Sequence, residues 1–411
     1  MDRDICMMYS DVLIIGGGHA GAMAAITLRQ KKFTGTITII EAQHRLPYQR
    51  PPLSKGFLAG TTQENRLYFK SLDFYKKNQI NILIGSSVLF INKKKKTIEL
   101  SNKKKINYQN LVFATGSRLK KIKFSCSEEH IYYLNNLDRS IQIKSSLNKK
   151  ENILIIGAGY IGLEIASTLI KKDLSVTIVE SEDRVMKRSV CKETSEYLRK
   201  KHKENGIEFI FNSKIDDIQD HENVKRVVTN QGIEIDVDAV IIGVGVLPKT
   251  DLAEDIGLNV ENGIMVDDNC QSSSENIFAI GDCANQFNYF YKRRLRIESV
   301  HNATEQAKTL AEHFTGVKRS SPQVPWFWSD QYDLKIHTAG ISDGNDEYFI
   351  QKKDRNGDLS VFYFKNSKLI AVDTINDIKS FNLGKKLINS GYRLPHRNFN
   401  SKEFNIQSLL D

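Results

Sequence analysis

The feature that most constrains the fold is a glycine-rich pattern that occurs twice in the chain. Asp11–Ala22 and Asn152–Leu163 each contain an apolar run of β-branched residues, a glycine-rich turn and a further apolar segment. Each pattern is followed by a second apolar run that ends in an acid, Glu41 in the first and Glu180 in the second. This order predicts a buried parallel strand, a tight turn, a helix and another parallel strand. The sequence therefore predicts an α/β chain with two βαβ units.

The first glycine-rich turn has the spacing of a dinucleotide-binding site. Gly16 permits a tight turn after the strand, Gly18 allows backbone N–H groups to approach a pyrophosphate, and Gly21 lets the helix pack closely on the sheet. The positive end of the helix dipole would then face the phosphates. Glu41 follows at the distance where an acid accepts hydrogen bonds from a ribose diol. Together these features predict a bound dinucleotide.

The second turn repeats this arrangement and predicts a second nucleotide. Its three glycines occupy the corresponding places, namely Gly157, Gly159 and Gly162. Glu180 stands at the ribose position, where a carboxylate repels a 2′-phosphate, so we expect NADH to be preferred over NADPH. Arg184 and Arg188 follow closely, and either could soften that preference by contacting phosphate.

Length and cysteine content narrow the class of protein. With 411 residues the chain is long enough for two or three domains. The five cysteines are odd in number and form no CxxC motif, which argues against a disulfide scaffold, a local redox disulfide and a metal site. We therefore expect a reducing, cytoplasmic location.

The apolar segments Val12–Leu28 and Ile153–Ile170 are interrupted by glycines, so no membrane span is expected. The polar N-terminus does not resemble a signal peptide, and residues 1–10 are expected to be a loose extension.

The net charge of +10 has two interpretations. Lysines cluster at Lys93–Lys96 and Lys103–Lys105, on either side of Thr97–Leu100, which alternates like a short hairpin strand. One interpretation is a solvated surface, and the other is a surface that attracts an acidic partner. No zinc-finger, RNA-recognition or helix-turn-helix pattern accompanies the charge, so nucleic acid is not expected as a partner.

Three further segments have the pattern of strands that end in turns of small residues. They are Leu111–Ser117, Ala239–Pro248 and Asn276–Ala284, and the last contains Asp282 directly after a glycine. An aspartate in such a turn can accept a hydrogen bond from a ribityl hydroxyl of a flavin.

Taken together, the chain resembles the two-dinucleotide flavoprotein reductases. It is most similar to the NADH:ferredoxin reductases of bacterial oxygenase systems, a group that includes putidaredoxin and rubredoxin reductases. The resemblance runs from Asp11 to about Leu387. Its most specific stretches are 47–56, 159–166, 278–284, 296–304 and 325–334, the last of which contains both tryptophans.

The resemblance implies two glutathione-reductase-like Rossmann domains and a smaller α+β domain. An FAD-binding domain would comprise residues 1–118 and 244–322, an NADH-binding domain residues 119–243, and a C-terminal domain residues 323–411. FAD would be tightly bound, and its expected contacts are Gly16, Gly18, Ala20, Gly21, Glu41, Arg50, Lys55, Val88, Ala114, Thr115, Gly116, Asn135, Asp282 and Val300. NADH would be the co-substrate, and its expected contacts are Gly157, Gly159, Tyr160, Ile161, Gly162, Glu164, Glu180, Arg188 and Gly245.

Two departures from the family pattern concern FAD. Asn135 stands where an arginine that helps to hold FAD is common, which implies a weaker contact here. The acid on the FAD ribose often lies one place later, at Ala42, so Glu41 would serve alone.

Lys55 and Glu164 are the expected catalytic residues. Glu164 lies within an apolar helix, where a carboxylate is costly unless it is paired. The resemblance implies that Lys55 is its partner beside flavin N5 and that Glu164 touches the nicotinamide amide. A helix that starts near Val300 would lie beneath the pyrimidine ring and favour the reduced anionic flavin.

The likeness also implies where the electrons go. Disulfide reductases of this superfamily carry a cysteine pair near the flavin, but here that place is Pro51–Lys55, which has no sulfur. Electrons would therefore pass singly to a small acidic 2Fe–2S ferredoxin or a rubredoxin, with Trp328 and Lys308 facing that carrier. The protein would be a monomer or a weak homodimer.

Two other functions stay open at this point. One is an NADH oxidase-type flavoenzyme, although the missing cysteine argues against it. The other is a signalling flavoprotein that resembles apoptosis-inducing factor, in which NADH binding changes association and a basic surface could touch DNA.

Overall fold

The computed structural model describes residues 8–147, 151–320, 323–353 and 358–394. Its strands, in chain order, are β1 (Met8–Ile15), β2 (Ile37–Glu41), β3 (Ile80–Ile84), β4 (Val88–Asn92), β5 (Thr97–Leu100), β6 (Lys105–Phe113), β7 (Ser117–Leu119), β8 (Ile131–Tyr133), β9 (Asn152–Ile156), β10 (Ser175–Val179), β11 (Glu208–Ile210), β12 (Ile215–His221), β13 (Val224–Thr229), β14 (Glu234–Val237), β15 (Ala239–Ile242), β16 (Val246–Pro248), β17 (Ile264–Val266), β18 (Ile277–Ala279), β19 (Ala284–Asn288), β20 (Arg293–Leu295), β21 (Trp326–Gln331), β22 (Leu334–Gly340), β23 (Glu347–Lys353), β24 (Asp358–Lys365) and β25 (Lys368–Ile375).

The helices are α1 (His19–Gln30), α2 (Gly56–Ala59), α3 (Leu72–Lys77), α4 (Leu137–Ser146), α5 (Tyr160–Leu169), α6 (Lys192–Glu204), α7 (Asp251–Asp255), α8 (Val300–Thr315) and α9 (Ile378–Ser390). Short 3-10 helices occupy 51–54, 64–66, 170–172 and 281–283. Among the described residues, no helix is both long enough and apolar enough to cross a membrane.

The chain divides into two compact units, each built from separate stretches of sequence. Among the described residues, the first unit comprises residues 8–49, 65–118 and 246–323, and the second comprises residues 50–64, 119–245 and 324–394. The division into three functional domains stays a prediction.

A mixed sheet forms the centre of the first unit: β1, β2, β3, β6 and β18 pair in parallel, whereas the β4–β5 and β5–β6 pairs are antiparallel. Its strand order is β3-β2-β1-β6-β5-β4, and β18 pairs with β6. Alternate residues of β1 are buried on opposite faces: Val12 and Ile14 pack with α1 and α8, whereas Leu13 and Ile15 pack with residues of β4, β5 and β17. Burial on both faces explains why Val12–Ile15 are continuously apolar. The strand begins earlier, at Met8, so the expectation of a loose extension is wrong for residues 8–10, which pair with β6. A smaller sheet, β17-β19-β20, also lies in this unit.

A parallel sheet, in the order β11-β10-β9-β15-β8, carries the second glycine-rich turn. The antiparallel sheet β12-β13-β14 packs against it through Leu154 and Ile156, which share a cluster with Ile218, Val227 and Val237. The same unit contains the antiparallel sheet β21-β22-β25-β24-β23. Strands β24 and β25 are almost wholly buried, and α9 packs on β22 and β25.

Candidate active site

The first glycine-rich turn has a geometry that only glycine can adopt. Gly16 has a φ of +109°, and a Cβ there would lie 2.3 Å from the carbonyl oxygen of Ala114. A Cβ on Gly21 would lie 2.0 Å from the carbonyl oxygen of Gly16. Both distances are far inside van der Waals contact, so these glycines allow the strand, the turn and α1 to meet closely.

The N-terminus of α1 presents an open set of donors beside an acid. The helix follows Gly18, with no side chain capping its N–H groups and no acid in its first turn. Glu41 is buried, and its two carboxylate oxygens accept hydrogen bonds from the N–H groups of Gly17 (2.7 Å) and Gln43 (2.8 Å). A carboxylate has further lone pairs, so Glu41 can still accept from a ribose diol. The Nδ1 of His19 is buried without a hydrogen-bond partner among the described residues. This donor and acceptor set fits the diphosphate and ribose of FAD.

Three turns of the first unit follow neighbouring parallel strands. The glycine turn follows β1, residues 114–116 follow β6, and Gly281 and Asp282 follow β18. A Cβ on Gly281 would lie 2.8 Å from the Cβ of Ala20, so the third turn closely approaches α1. The Ser117 hydroxyl donates to the Asp282 carboxylate at 3.4 Å. The predicted FAD residues in these turns therefore meet at the carboxyl ends of the strands, where ligands bind in open α/β sheets.

The glycines of the second glycine-rich turn have two different roles. A Cβ on Gly157 or Gly162 would lie 2.6 Å or 2.1 Å from a backbone oxygen, which indicates a packing role. A Cβ on Gly159 would meet no atom of the chain within 4 Å. Gly159 precedes α5, whose N-terminus has no side-chain cap, and Glu180 accepts a hydrogen bond from the Ala158 N–H at 2.7 Å. The open space above Gly159 and the uncapped N–H groups fit a nucleotide diphosphate.

A buried carboxylate with three donors lies in the second unit. Glu164 projects from α5 and is 3% exposed. Its Oε1 receives the Lys55 ammonium at 2.7 Å and the Ser329 hydroxyl at 2.6 Å, and its Oε2 receives the Ser54 hydroxyl at 2.5 Å. The expected ion pair of Lys55 and Glu164 is therefore present. The donors offset the cost of burying the charge and fix the carboxylate in one orientation.

The described cysteines provide no thiol pair for electron transfer. Cys126, Cys191, Cys270 and Cys283 are all free. Burial raises the pKa of the Cys270 thiol to about 12 and raises the pKa values of Cys191 and Cys283. Such thiols are poor nucleophiles because the thiolate is the reactive form. Cys6 lies outside the described residues.

Comparison with known proteins decides the family. A family model described as pyridine nucleotide-disulphide oxidoreductase matches residues 10–307, and one described as reductase C-terminal matches residues 326–410. The chain belongs to the pyridine nucleotide-disulphide oxidoreductase family. Rhodocoxin reductase of Rhodococcus erythropolis is 35% identical over 92% of this chain and 89% of its own length. Putidaredoxin reductase of Pseudomonas putida is 34% identical over 94% of this chain and 92% of its own length.

The solved structures agree with this result. This chain is similar to one in the crystal structure of the covalent putidaredoxin reductase–putidaredoxin complex, with a TM-score of 0.93 and 32% sequence identity. The match covers 98% of this chain and 98% of that chain. These findings confirm the predicted family and α/β fold class. They also support the predicted enzyme class, a flavin-dependent reductase of ferredoxin-type carriers that uses FAD and a nicotinamide nucleotide.

The other residues that are expected to bind the nicotinamide nucleotide differ in their contacts and exposure. The Tyr160 ring lies 4.6 Å from an aromatic ring of β21, and burial raises the pKa of its hydroxyl. Ile161 is 48% exposed, and a Cβ on Gly245, whose φ is +98°, would meet no atom of the chain within 4 Å. The Arg184 guanidinium donates to backbone carbonyls of its own loop, whereas Arg188 is exposed. Arg188 is therefore the arginine with its charge available to a ligand.

The remaining expected FAD residues lie in both units. In the second unit, Arg50 donates to the Asn135 carbonyl at 2.8 Å, and the side-chain Oδ1 of Asn135 is buried with no partner among the described residues. In the first unit, Val300 opens α8 behind its capping residue Ser299, and Val88 packs in the hydrophobic core. The contacts of these residues with FAD stay predictions.

The expected carrier-facing residues are both accessible within their own units. Trp328 lies on β21, is partly exposed, and its ring is 5.6 Å from that of Trp326. Lys308 is partly exposed on α8. Their role toward a carrier stays a prediction.

Sequence reasoning misses three polar residues of these sites. Ser54 and Ser329 donate to Glu164, and His19 opens α1. Each stands next to a residue that the sequence patterns indicate, Lys55, Trp328 and Gly18 respectively. This adjacency in sequence is the only signal that could have indicated them, because no sequence pattern shows which distant carboxylate a serine hydroxyl contacts.

Proposed function

We propose that this chain is an FAD-dependent reductase that oxidises NADH and passes electrons singly to a small acidic 2Fe–2S ferredoxin or a rubredoxin, which then serves an oxygenase. The observation that carries this proposal is the turn at 51–55. Where disulfide reductases of the superfamily would carry cysteines, this turn supplies the Ser54 hydroxyl and the Lys55 ammonium to the buried carboxylate of Glu164. The site is therefore equipped to orient a nucleotide, with no thiol in that turn to receive electrons.

The first unit would hold FAD, which supplies the ability to accept a hydride and to release single electrons. The N–H groups at the start of α1 would bind its diphosphate, Glu41 its adenosine ribose and Asp282 its ribityl chain. The N-terminus of α8, capped by Ser299, would stabilise negative charge on the pyrimidine side of the ring.

The second unit would bind NADH through the start of α5 and through Glu180. The Glu180 carboxylate would accept from the ribose hydroxyls and repel a 2′-phosphate, which favours NADH over NADPH. Lys55 and Glu164 would contact the nicotinamide end, where a fixed orientation of the ring raises the rate of transfer.

The carrier would dock by charge. The chain carries a net charge of +10, and an acidic carrier would meet it faster at low ionic strength. Trp328 and Lys308 would face the carrier. We propose a cytoplasmic monomer or weak homodimer, in line with the free cysteines.

A single assay separates this function from its rivals. NADH-dependent reduction of cytochrome c is measured with and without added 2Fe–2S ferredoxin, and oxygen uptake is measured without the carrier. We expect turnover that depends on the carrier and slow oxygen uptake. Rapid oxygen uptake without the carrier would indicate an NADH oxidase, and negligible turnover under both conditions would indicate a binding protein.

A further inference from the structure

A chain of hydrogen bonds leads from Glu164 into the sheet of the C-terminal region. Ser329 Oγ contacts Glu164 Oε1 at 2.6 Å, and Gln331 Nε2 contacts Ser329 Oγ at 3.2 Å. His202 Nε2 lies 2.9 Å from Gln331 Oε1, and the Tyr332 hydroxyl lies 3.1 Å from His202 Nδ1. We call Ser329, Gln331, His202 and Tyr332 the relay.

The carboxylate of Glu164 sets the direction of every bond in the relay. An ionised carboxylate only accepts, so the Ser329 hydroxyl donates to it and must itself accept from the amide N–H of Gln331. The Gln331 oxygen then accepts from Nε2–H of His202. A neutral imidazole with its proton on Nε2 accepts at Nδ1, so the Tyr332 hydroxyl donates there. All four donors therefore point toward Glu164.

Burial keeps the relay neutral and ordered. Ser329, Gln331 and His202 are each 0% exposed, and burial lowers the pKa of His202 to about 4. Tyr332 has a φ of +55°, a conformation uncommon for an aromatic residue, and its ring lies 4.9 Å from the His202 ring. In a dry environment, aligned hydrogen bonds polarise one another, so the last donor in the series is strengthened.

The relay acts on one oxygen of the carboxylate only. Oε1 receives both Lys55 and Ser329, which uses two acceptor sites, whereas Oε2 receives only Ser54. The remaining acceptor capacity therefore lies on Oε2. A hydrogen-bond donor can still bind to Oε2, and the carboxamide N–H of a nicotinamide is one such donor.

We propose that the relay is a positioning device that saturates Oε1 of Glu164 and so leaves Oε2 to accept from the carboxamide N–H of the nicotinamide. This inference rests on the proposed function, and it assigns the relay a role in choosing the co-substrate. The relay residues do not touch the nucleotide; they act through Glu164.

The test compares NADH with its reduced 3-acetylpyridine analogue, which has a methyl ketone in place of the carboxamide and donates no hydrogen bond there. We expect Ser329→Ala to reduce the preference for NADH, as the ratio of kcat/KM values, by about 5-fold, the effect of one lost hydrogen bond. The intrinsic difference between the nucleotides cancels when variant and wild-type ratios are compared. The matched control is Ser360→Ala, which removes another buried serine–carboxylate bond, to Asp377 at 3.1 Å, in the same sheet.

A second pair of variants tests the more distant part of the relay. His202→Leu removes the donor to Gln331, and we expect it to lower the NADH preference about 2- to 3-fold. His202→Gln places an amide N–H near the position of Nε2, and we expect it to restore the preference. A preference that is unchanged in both Ser329→Ala and His202→Leu would overturn the role toward the nicotinamide.

A spectroscopic measurement tests the relay independently of turnover. In protein labelled with 15N-histidine, the imidazole shifts of His202 should report a neutral ring with its proton on Nε2 at pH 7. A proton on Nδ1, or a charged ring, would overturn the direction of the relay. If instead the wild type oxidised no NADH while His202 had the expected tautomer, the proposed function would fail and the hydrogen-bond direction would stand.

Discussion

Asp373, a buried carboxylate in β25, should make the stability of the protein depend on pH in a direction unusual for an acid. Its side chain is 2% exposed, and it accepts hydrogen bonds of 2.6 Å from the hydroxyls of Thr338 and Tyr363. Burial raises the pKa of Asp373 to about 6, although the two hydrogen bonds oppose this shift. The folded chain therefore binds a proton at Asp373 more tightly than the unfolded chain does.

The sign and size of the effect follow from linkage. The ordinary aspartate pKa is 3.8, so between this value and about 6 the folded chain holds a proton that the unfolded chain has released. Stability therefore falls as pH rises through this window. The whole difference amounts to about 3 kcal/mol, of which about 2 kcal/mol falls between pH 4.5 and pH 8.

The variant Asp373→Asn isolates this contribution because asparagine has the shape of the protonated acid. Urea unfolding of variant and wild type would be compared at several pH values with saturating FAD. We expect the free energy of unfolding of the variant, relative to the wild type, to rise by about 2 kcal/mol from pH 4.5 to pH 8. A difference that stays constant across this range would refute the reasoning.

Three further predictions concern the nucleotide and carrier sites. Gly159→Ala should leave the free energy of unfolding within about 0.5 kcal/mol of wild type and raise KM for NADH about 10-fold or more, because its Cβ would meet only the bound diphosphate. Gly162→Ala should lower the free energy of unfolding by about 2 kcal/mol or more, because its Cβ would meet a backbone oxygen at 2.1 Å. Urea unfolding and steady-state kinetics measure these effects. Glu180→Gln should raise the ratio of kcat/KM for NADPH to that for NADH about 10-fold, since it removes a charge that repels the 2′-phosphate; an unchanged ratio would place the discrimination elsewhere. Lys308→Gln should lower kcat/KM for ferredoxin about 2-fold at low salt and hardly at high salt, a contrast that a salt titration measures directly.

The nucleotide turns are predictable because their backbone geometry admits a single residue type. Gly16 and Gly157 require positive φ values and leave no room for a Cβ, so only glycine can stand there. The pairing of Glu164 is also predictable, since a carboxylate in an apolar helix needs a cation. Its hydroxyl donors are not, because Ser54 and Ser329 lie 110 and 165 residues away along the chain.

The sequence does not separate residues that differ only in their tertiary contacts. Arg184 and Arg188 both follow Glu180 closely in the chain, yet loop carbonyls engage the first and leave the second exposed. The direction of the relay likewise depends on the β21–β22 hairpin meeting α6, and no local pattern indicates that meeting. Tertiary packing, rather than propensity, decides both.

Electron counting in a single turnover tests the central claim most directly. The enzyme would be reduced with one equivalent of NADH without oxygen and then mixed rapidly with excess oxidised 2Fe–2S ferredoxin, and the iron–sulfur absorbance would be followed. We predict two reduced ferredoxins for each NADH, formed at least as fast as steady-state turnover, and the same yield after every cysteine has been replaced by alanine. A reduced enzyme that gives ferredoxin no electrons, or gives them only while its cysteines are intact, would contradict the account.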